Sequence, residues 1–497
     1  MIVFAPIIVP LLFIILSLSF SKAPKTVQRV VFILGNVITI AVAVSILSKV
    51  LQNGILVAQA GAWEAPFGIT IVADVFSGIM LTLTSVTVAV VSLYSIAWRE
   101  DNLNNPVFYA LIFGLQMGMN GAFVAGDLFN LYVWFEVMLL SSFVLISYGS
   151  GKQQLKGTLK YVSMNLISSF FFVGGIALMY GKAGTLNMAD LAMRVREMGG
   201  ELDILAPSAL ILMGFAVKSA IFPFYFWLPD SYHTPPLPIS ALFSGTLTKV
   251  GVYSMIRFYS LIHLPGDTFF PQLFLFIASI TMISGVLMAT AQFEVRKLLS
   301  FHIVSQIGYM ILGLGLFTQL ALTGAIFYII GHCIVKTNLF LLSGISYKLT
   351  GTFNLKESGG ILKSKPLIAL LFFISAMALV GIPPLSGFFG KFMLIKAGVE
   401  SREFIHVASA LGVSFLTLFS MVKIWNESYA KAIPEQYTSK EPQSARVSRT
   451  LVFSSGLLVI VTIGLTLGSK FIIDVCATAA EQLLDVETYI GAVLSSR

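Results

Sequence analysis

The sequence predicts an all-α integral membrane protein of about fourteen transmembrane helices. Three observations lead there. Of the 497 residues, 57% are hydrophobic and only 11% charged, whereas a soluble domain carries about 25% charged residues. The apolar residues fall in runs of about 20, the length that crosses about 30 Å of hydrocarbon. Lysines and arginines gather in the short gaps between these runs, which is where positive charge orients helices in a membrane. Mean hydropathy is +0.90, so lipid rather than water is the expected solvent for most of the surface.

The runs lie near residues 2–20, 30–50, 70–97, 107–124, 128–148, 160–180, 205–228, 238–262, 270–290, 299–318, 321–345, 366–394, 403–424 and 450–470. The first opens IVFAPIIVPLLFIILSLSF, with no basic residue before Lys22. A secretory signal places its positive charge first and a small-residue cleavage site after the apolar core, so this run is expected to stay as the first span. The tail from Phe471 to Arg497 contains EQLLDVETY and is expected to lie at the interface.

Gaps after odd-numbered spans hold eighteen basic residues: Lys22, Lys25, Arg29, Arg99, Lys152, Lys156, Lys160, Arg296, Lys297, Lys348, Lys356, Lys363, Lys365, Lys423, Lys431, Lys440, Arg446 and Arg449. Even-numbered positions and the C-terminus hold nine: Lys49, Lys182, Arg194, Arg196, Arg257, Lys396, Arg402, Lys470 and Arg497. The bias puts odd gaps in the cytoplasm and both termini outside, in a multi-pass protein of a bacterial-type plasma membrane. The net charge of +8 is dispersed over these gaps rather than gathered on one soluble face, which argues against nucleic acid as a partner. Cys333 and Cys476 stand alone in apolar sequence and suggest neither a disulfide nor a metal framework.

Four basic residues fall inside apolar runs. Lys218 lies in LILMGFAVKSAIFPF, Lys249 in ALFSGTLTKVGVYSMI, Lys336 in YIIGHCIVKTNLFLL and Lys391 in GIPPLSGFFGKFMLI. Glu136 is the sole acidic residue of FNLYVWFEVMLLSSF. An ionisable residue at mid-bilayer costs about 2.5–3.5 kcal/mol on the insertion scale. The bland reading is that lysines snorkel to the interface; it suits Lys391 better than the centrally placed Lys249, and Glu136 is too short for it. Glu136 could instead be one half of a structural ion pair. Burial disfavours the charged form of either group, and a neighbouring opposite charge restores it, so a buried Glu–Lys pair can switch and release a proton to further lysines connected by water. His332 and Lys336 share a helix face at a spacing of four residues, which extends the pattern, although a lone intramembrane histidine is often no more than a hydrogen-bond partner. His302 opens its span beside Glu294, Arg296 and Lys297; it is expected near the interface, as a candidate proton inlet. His233 is expected to face water, and His263 and His406 to be peripheral.

Two spans are interrupted beside their lysines, one at Pro223 and one at Gly381, Pro383 and Pro384. Proline removes a helix hydrogen bond, and a broken helix at membrane depth is tolerated only where protein or water satisfies the freed carbonyls. Paired breaks near the midplane mark many transporters. The lysine precedes the break in one span and follows it in the other, and no repeat is visible in the residues themselves.

The stretch LPDSYHTPPLPISALFSGTLTKVGVYSMIR, with FAVKSAIFPFYFWLP before it, resembles the antiporter-like membrane subunits shared by respiratory complex I, membrane-bound hydrogenases and Mrp-type multisubunit cation/proton antiporters. FEVMLLSSF, RKLLSFHIVSQIGYM, FYIIGHCIVKTNLFLLSG and GIPPLSGFFGKF extend the likeness from about residue 70 to 425. Length, the SYHTPP wording and the lysine at the second break are most similar to the D-type antiporter subunits of the Mrp group. The resemblance implies fourteen helices containing two inverted five-helix repeats, each with a broken helix. It divides the chain into N-terminal spans (1–105), a first repeat (106–262), a second repeat (263–425) and a C-terminal loop, last span and tail (426–497). It implies that Glu136 pairs with Lys218, that Lys249, His332, Lys336 and Lys391 continue a proton path, and that the chain works with other subunits.

The expected function is therefore that of a secondary transporter subunit exchanging H⁺ for a monovalent cation, with Na⁺ the first candidate. The alternative is a proton-pumping subunit of a complex I or hydrogenase type of redox complex. With no flavin, haem, iron–sulfur or nucleotide motif, no cofactor and no catalysis are expected of the chain itself. A third reading is a membrane scaffold whose buried charges only hold helices together. No residue cluster marks where a cation or other metal ion binds; Asp74 and Asp127 stand near span ends and read equally well as interface residues.

Overall fold

The fold is that of a computed structural model, which describes residues 2–61, 63–98, 103–149, 151–199, 202–264, 266–433 and 447–494. Arg99, Lys440, Arg446 and Arg497, which entered the charge count, lie outside the described residues.

Among the described residues thirteen helices are long and apolar enough to cross a membrane. In chain order they are span 1 (Ile2–Lys22), span 2 (Lys25–Asn53), span 3 (Val75–Ala97), span 4 (Pro106–Val124), span 5 (Leu128–Ser147), span 6 (Lys152–Ala183), span 7 (Leu205–Tyr232), span 8 (Leu237–Ile262), span 9 (Phe269–Thr290), span 10 (Val295–Leu316), span 11 (Gln319–Thr350), span 13 (Phe404–Ala430) and span 14 (Arg449–Leu467). Span 12 is the fourteenth, built of two shorter helices, Pro366–Val380 and Ser386–Glu400. The count expected from the apolar runs is thus met.

Burial grades these helices. The most apolar stretches of spans 8, 10 and 11 are 100%, 100% and 94% buried, while those of spans 1, 2, 6, 13 and 14 are a third buried or less. The central helices carry Lys249, His302, His332 and Lys336, so the ionisable groups sit where lipid cannot reach them. The peripheral helices turn aliphatic side chains such as Ile15, Val37 and Ile460 outward, as a lipid-facing surface requires. Polar contacts tie the centre to the rim: Asn338 of span 11 donates to Ser375 Oγ of span 12 at 2.8 Å and accepts from Ser455 Oγ of span 14 at 2.6 Å.

One element departs from the all-helical expectation. Between spans 2 and 3 the chain forms an antiparallel hairpin, β1 (Leu56–Ala60) on β2 (Ile69–Ala73), with Leu56 opposite Ala73 and Ala60 opposite Ile69. The segments LVAQA and ITIVA carry several β-branched residues; the apolar run expected from residue 70 thus begins as strand β2, and its helix starts only at Val75. Gln59, Thr70 and Asn187 are joined by side-chain hydrogen bonds of 2.8 and 2.9 Å, which lock the hairpin to the start of an amphipathic helix, Met188–Met198. The expected interfacial tail forms two helices, Ser469–Leu484 and Val486–Leu494. The first closes against span 3, where Gln482 accepts from the Val75 amide at 3.0 Å. The N-terminal turn and the C-terminal helix both contact the hairpin, so the two ends of the chain lie on one membrane face.

Both expected breaks are present. Span 7 ends its first half at Ser219, passes through Ala220 at φ 55° and a cis Phe222–Pro223 bond, and resumes from Phe224. Span 12 breaks at Gly381, φ 90°, followed by a cis Pro383–Pro384 bond. Gly387 is required here, because a Cβ at that position would overlap the carbonyl oxygen of Ala378 across the break. A third irregularity lies at Thr246, where the helix of span 8 divides into Leu237–Gly245 and Leu247–Ile262.

Candidate functional site

Lys218, Lys249, Lys336, Lys391, His302 and His332 are all buried, none more than 4% exposed. They come from spans 7, 8, 10, 11 and 12. Five of them form one electrostatically connected set: His332 feels Lys249, Lys336, Lys391 and His302, and His302 feels Lys336 and Lys391, whereas Lys218 feels Glu136.

Lys218 occupies the last turn before the break of span 7. Its ammonium donates to Asn165 Oδ1 at 3.1 Å and stands 5.7 Å from the centre of the Tyr161 ring. Glu136 lies close enough to act on it through space, yet no ion pair within 4.0 Å joins the two among the described residues. Instead the half-buried carboxylate of Glu136 accepts from Ser169 Oγ. Asn165 and Ser169 are one turn apart on span 6, so the pairing expected from the resemblance takes the form of a bridge, with span 6 holding carboxylate and ammonium apart on adjacent turns.

Lys249 and Lys391 share a different solution. Lys249 donates to the Ser244 carbonyl at 2.6 Å, just before the Thr246 irregularity. Lys391 reaches back across the break of span 12 to the carbonyl of Val380 at 2.9 Å, the last residue of the first half-helix, and to Ser414 Oγ at 3.3 Å. The final carbonyls of a helix lack intrahelical donors and carry a partial negative charge. The irregularity of span 8 and the break of span 12 therefore each supply a carbonyl acceptor for a cation that no carboxylate accompanies. The asymmetry in the sequence has a counterpart here: Lys391 follows its break and reaches back to a break carbonyl, while Lys218 precedes its own and is held by span 6 instead. Pro384 leaves free the carbonyl four residues before it, Val380, which is the one that Lys391 takes; Pro383 stands beside it, and Pro223 lies in the break of span 7. At span 7 the Trp227 indole takes the Val217 carbonyl at 3.1 Å, and Thr281 Oγ1 accepts the Phe222 amide at 3.0 Å.

His332 and Lys336 are the open part of the set. Neither ring nitrogen of His332 nor the Lys336 ammonium has a hydrogen-bond partner among the described residues. Polar groups buried in that condition pay a large desolvation penalty unless water serves them, which makes the surroundings of His332 and Lys336 the part of the set suited to ordered water.

His302 lies deeper than the interfacial placement expected of it. It is fully buried, two turns inside span 10, and shares a 2.6 Å hydrogen bond with Ser420 of span 13. The reason is a polar seam that the sequence does not announce. Gln306 contacts Thr417 at 3.4 Å and accepts from the Tyr328 hydroxyl, and Tyr309 contacts Ser414 at 2.7 Å. His302, Gln306 and Tyr309 on span 10 thus face Ser420, Thr417 and Ser414 on span 13 in antiparallel register, and Ser414 is also a partner of Lys391. The Lys391 ammonium stands 4.5 Å from the Tyr309 ring centre.

Several further residues depart from their expected places. Arg257, counted with the outer-side charges, is buried in span 8 and ion-paired with Asp74. Asp74 is itself buried as the N-cap of span 3, accepting from the Ser77 amide at 2.9 Å. Asp127 caps span 5 through the Asn130 amide at 2.8 Å, and burial pushes its carboxyl up from the ordinary aspartate value. His233 is half-buried, with Nδ1 2.6 Å from the Pro229 carbonyl. His263 and His406 are peripheral, as expected, with Tyr259 and Ser279 as partners at 2.8 Å. Among the described residues no group of three or more His, Cys, Asp or Glu side chains could hold a metal ion.

Residues 125–417 match the family described as the transmembrane region of NADH:quinone oxidoreductase and Mrp antiporter subunits. The D-type subunit of the Na(+)/H(+) antiporter of Alkalihalophilus pseudofirmus is 44% identical over 496 residues, covering 99% of each chain. A chain of the Mrp complex from Dietzia superposes with a TM-score of 0.90 at 32% identity, again over 99% of both chains. A chain of the membrane-bound sulfane sulfur reductase, an archaeal respiratory membrane complex, gives 0.89 at 26% identity and the same coverage. With full-length likeness on both counts, the chain belongs to the NADH:quinone oxidoreductase/Mrp antiporter family of membrane subunits, in the branch of the D-type Na(+)/H(+) antiporter subunits.

Proposed function

We propose that this chain is the proton-translocating subunit of a multisubunit Na⁺/H⁺ antiporter, moving protons along Lys218, Lys249, Lys336 with His332, and Lys391 in exchange for a monovalent cation. Na⁺ is the cation named in the relatives and the one assigned here. The other subunits of such a complex are the chain's partners, and lipid surrounds the peripheral spans. The observation that carries the reading is the acceptor set of the lysines: an amide, two half-helix carbonyls and an unpartnered site hold the ammoniums without a carboxylate in direct contact. A lysine neutralised permanently by a carboxylate does not release its proton; one held by dipoles and water can, when the charge of Glu136 or of a neighbouring lysine changes. Glu136, bridged through Ser169 and Asn165, is the switching charge at one end. The seam from Lys391 to His302 is the opening at the other, so that His302 serves the second half of the path rather than a surface inlet.

The two repeats are assigned to 106–262 and 263–425, flanked by 1–105 and 426–497. Span 4 packs on 5 as 9 packs on 10, and 6 on 7 as 11 on 12. An offset of five alternating spans inverts the second set relative to the first, so the breaks of spans 7 and 12 face opposite sides. By the charge bias, odd gaps are cytoplasmic and both termini outside, in the plasma membrane.

The test is dissipation of a pH gradient in proteoliposomes holding the complex with its partner subunits, on adding Na⁺, Li⁺ or K⁺. Na⁺-dependent dissipation abolished by Lys218→Ala in an intact complex supports the reading. Loss of assembly with that substitution would point to a scaffold. The likeness to an archaeal respiratory complex favours a second reading, proton pumping driven by electron transfer elsewhere; the higher identity to antiporter subunits favours the first, and dissipation without any redox substrate separates them.

A further inference from the structure

We propose that the basic pocket where spans 6 and 7 meet at the Lys152 end binds the phosphate of an anionic phospholipid. The pocket, about 230 Å³, is lined by Gln153, Lys156, Gly157, Lys160, Asp230, His233 and Thr234. None of these residues belongs to the set of buried lysines assigned to translocation.

Depth comes first. Span 6 is 32 residues long, about 48 Å at 1.5 Å per residue, against about 30 Å of hydrocarbon. Its ends therefore project into the headgroup layers, and Lys152, Lys156 and Lys160 occupy one of them at successive four-residue steps on one face. The adjacent stripe carries Leu155, Leu159, Leu166 and Phe170, of which Leu159 and Phe170 are 68% and 73% exposed. A phosphate held by the lysines leaves its acyl chains lying along this stripe, which is the shape of a phospholipid rather than of a free anion.

Charge agrees. Asp230 is bonded to Lys160 and lies 3.6 Å from Lys297 of span 10. Glu294 is taken by Arg296 at 3.1 Å. His233 faces its own helix carbonyl. Lys152, Lys156, Lys160, Lys297 and Arg296 thus outnumber Asp230 and Glu294, and Lys156 has no ion-pair or hydrogen-bond partner among the described residues. Clustered lysines at the membrane surface recognise anionic headgroups. The consequence reaches the proposed translocation path, because Asp230 sits in the half-helix that follows the break beside Lys218: a phosphate on Lys160 competes with one of two polar contacts that tie this half-helix to span 6, the other being Ser231 Oγ to the Gly157 carbonyl at 2.9 Å.

The experiment uses the assembled complex, extracted from membranes, delipidated with detergent and re-exposed to dioleoyl phosphatidylglycerol or phosphatidylcholine, with retained lipid counted per complex. Wild type should retain phosphatidylglycerol over phosphatidylcholine. Lys156→Gln and Lys160→Gln should each reduce that retention about fivefold, the equivalent of about 1 kcal/mol per lysine, while Lys182→Gln at the opposite end of span 6 should not. Equal retention by wild type and the Lys156 and Lys160 variants overturns the proposal. So does displacement of the lipid by millimolar inorganic phosphate, which would assign the pocket to a free anion. Loss of partner subunits from the variants would assign the lysines to a protein interface and overturn it as well.

Discussion

Replacing Lys249 by arginine separates charge from proton transfer. Arginine keeps the cation beside the Ser244 carbonyl but does not deprotonate, so a relay through Lys249 stops while an electrostatic role survives. The expected outcome is a complex of normal yield with Na⁺-driven proton flux down at least about a hundredfold, roughly the contribution of a positioned proton-transfer group; flux in reconstituted vesicles measures it, and flux near wild type would remove Lys249 from the path. Asp74→Asn tests a residue of the opposite kind. It strands the buried guanidinium of Arg257 and should destabilise the fold by about 3–5 kcal/mol, read as a lower Tm of the purified complex, with the paired change Asp74→Leu plus Arg257→Met losing less than Asp74→Asn alone. At this scale much is legible in the sequence: every lysine that stands as an island of charge in apolar sequence is buried. Asn165 and Ser169 are not legible, because uncharged polar residues are ordinary in membrane helices, where they commonly bond back to their own backbone. Arg257 misleads because it stands eight residues beyond Lys249 near a helix end, where an arginine more often reaches water, and its counter-charge lies far away in sequence at Asp74.

The breaks of spans 7 and 12 are visible as prolines and a glycine, since these residues act locally. What the breaks do is not visible, because the ammonium acceptors, the Val380 carbonyl for Lys391 and the Asn165 amide for Lys218, are reached only after the chain folds back. Gly387 makes the point at the level of the element. A methyl group there meets the Ala378 carbonyl, so Gly387→Ala must push the two halves of span 12 apart and move Val380 relative to Lys391. Overpacking of this kind costs about 1–3 kcal/mol; the expected result is a complex with a lowered Tm and impaired exchange, whereas unchanged exchange would mean that the halves need not hold their spacing. The hairpin between spans 2 and 3 and the seam between spans 10 and 13 escape sequence reading for different reasons. The hairpin's strands are only five residues each, too short to leave a clear alternation, while the seam depends on register between segments distant in the chain.

Orientation belongs to the whole molecule. Fourteen spans return the chain to the face on which it began, and the contacts of both ends with the hairpin agree with that count. Which face this is follows from the distribution of lysine and arginine, a signal summed over many gaps and therefore readable without any structure. Cys333 and Cys476 are both buried and give a silent background for labelling. With a single added cysteine, Thr488→Cys in the C-terminal helix should react with a membrane-impermeant maleimide in intact cells, and Lys356→Cys, in the exposed turn after span 11, should react only after the membrane is opened. The reverse pattern would invert the molecule and place the lysine-rich ends of spans 6 and 10 outside. It would also reverse the direction in which the membrane potential, worth about 2.3 kcal/mol per charge per 100 mV, pulls a proton through the path. The labelling result therefore fixes which opening takes protons up: an outward-facing C-terminal helix makes the seam beside His302, at the Glu294 end of span 10, a cytoplasmic opening.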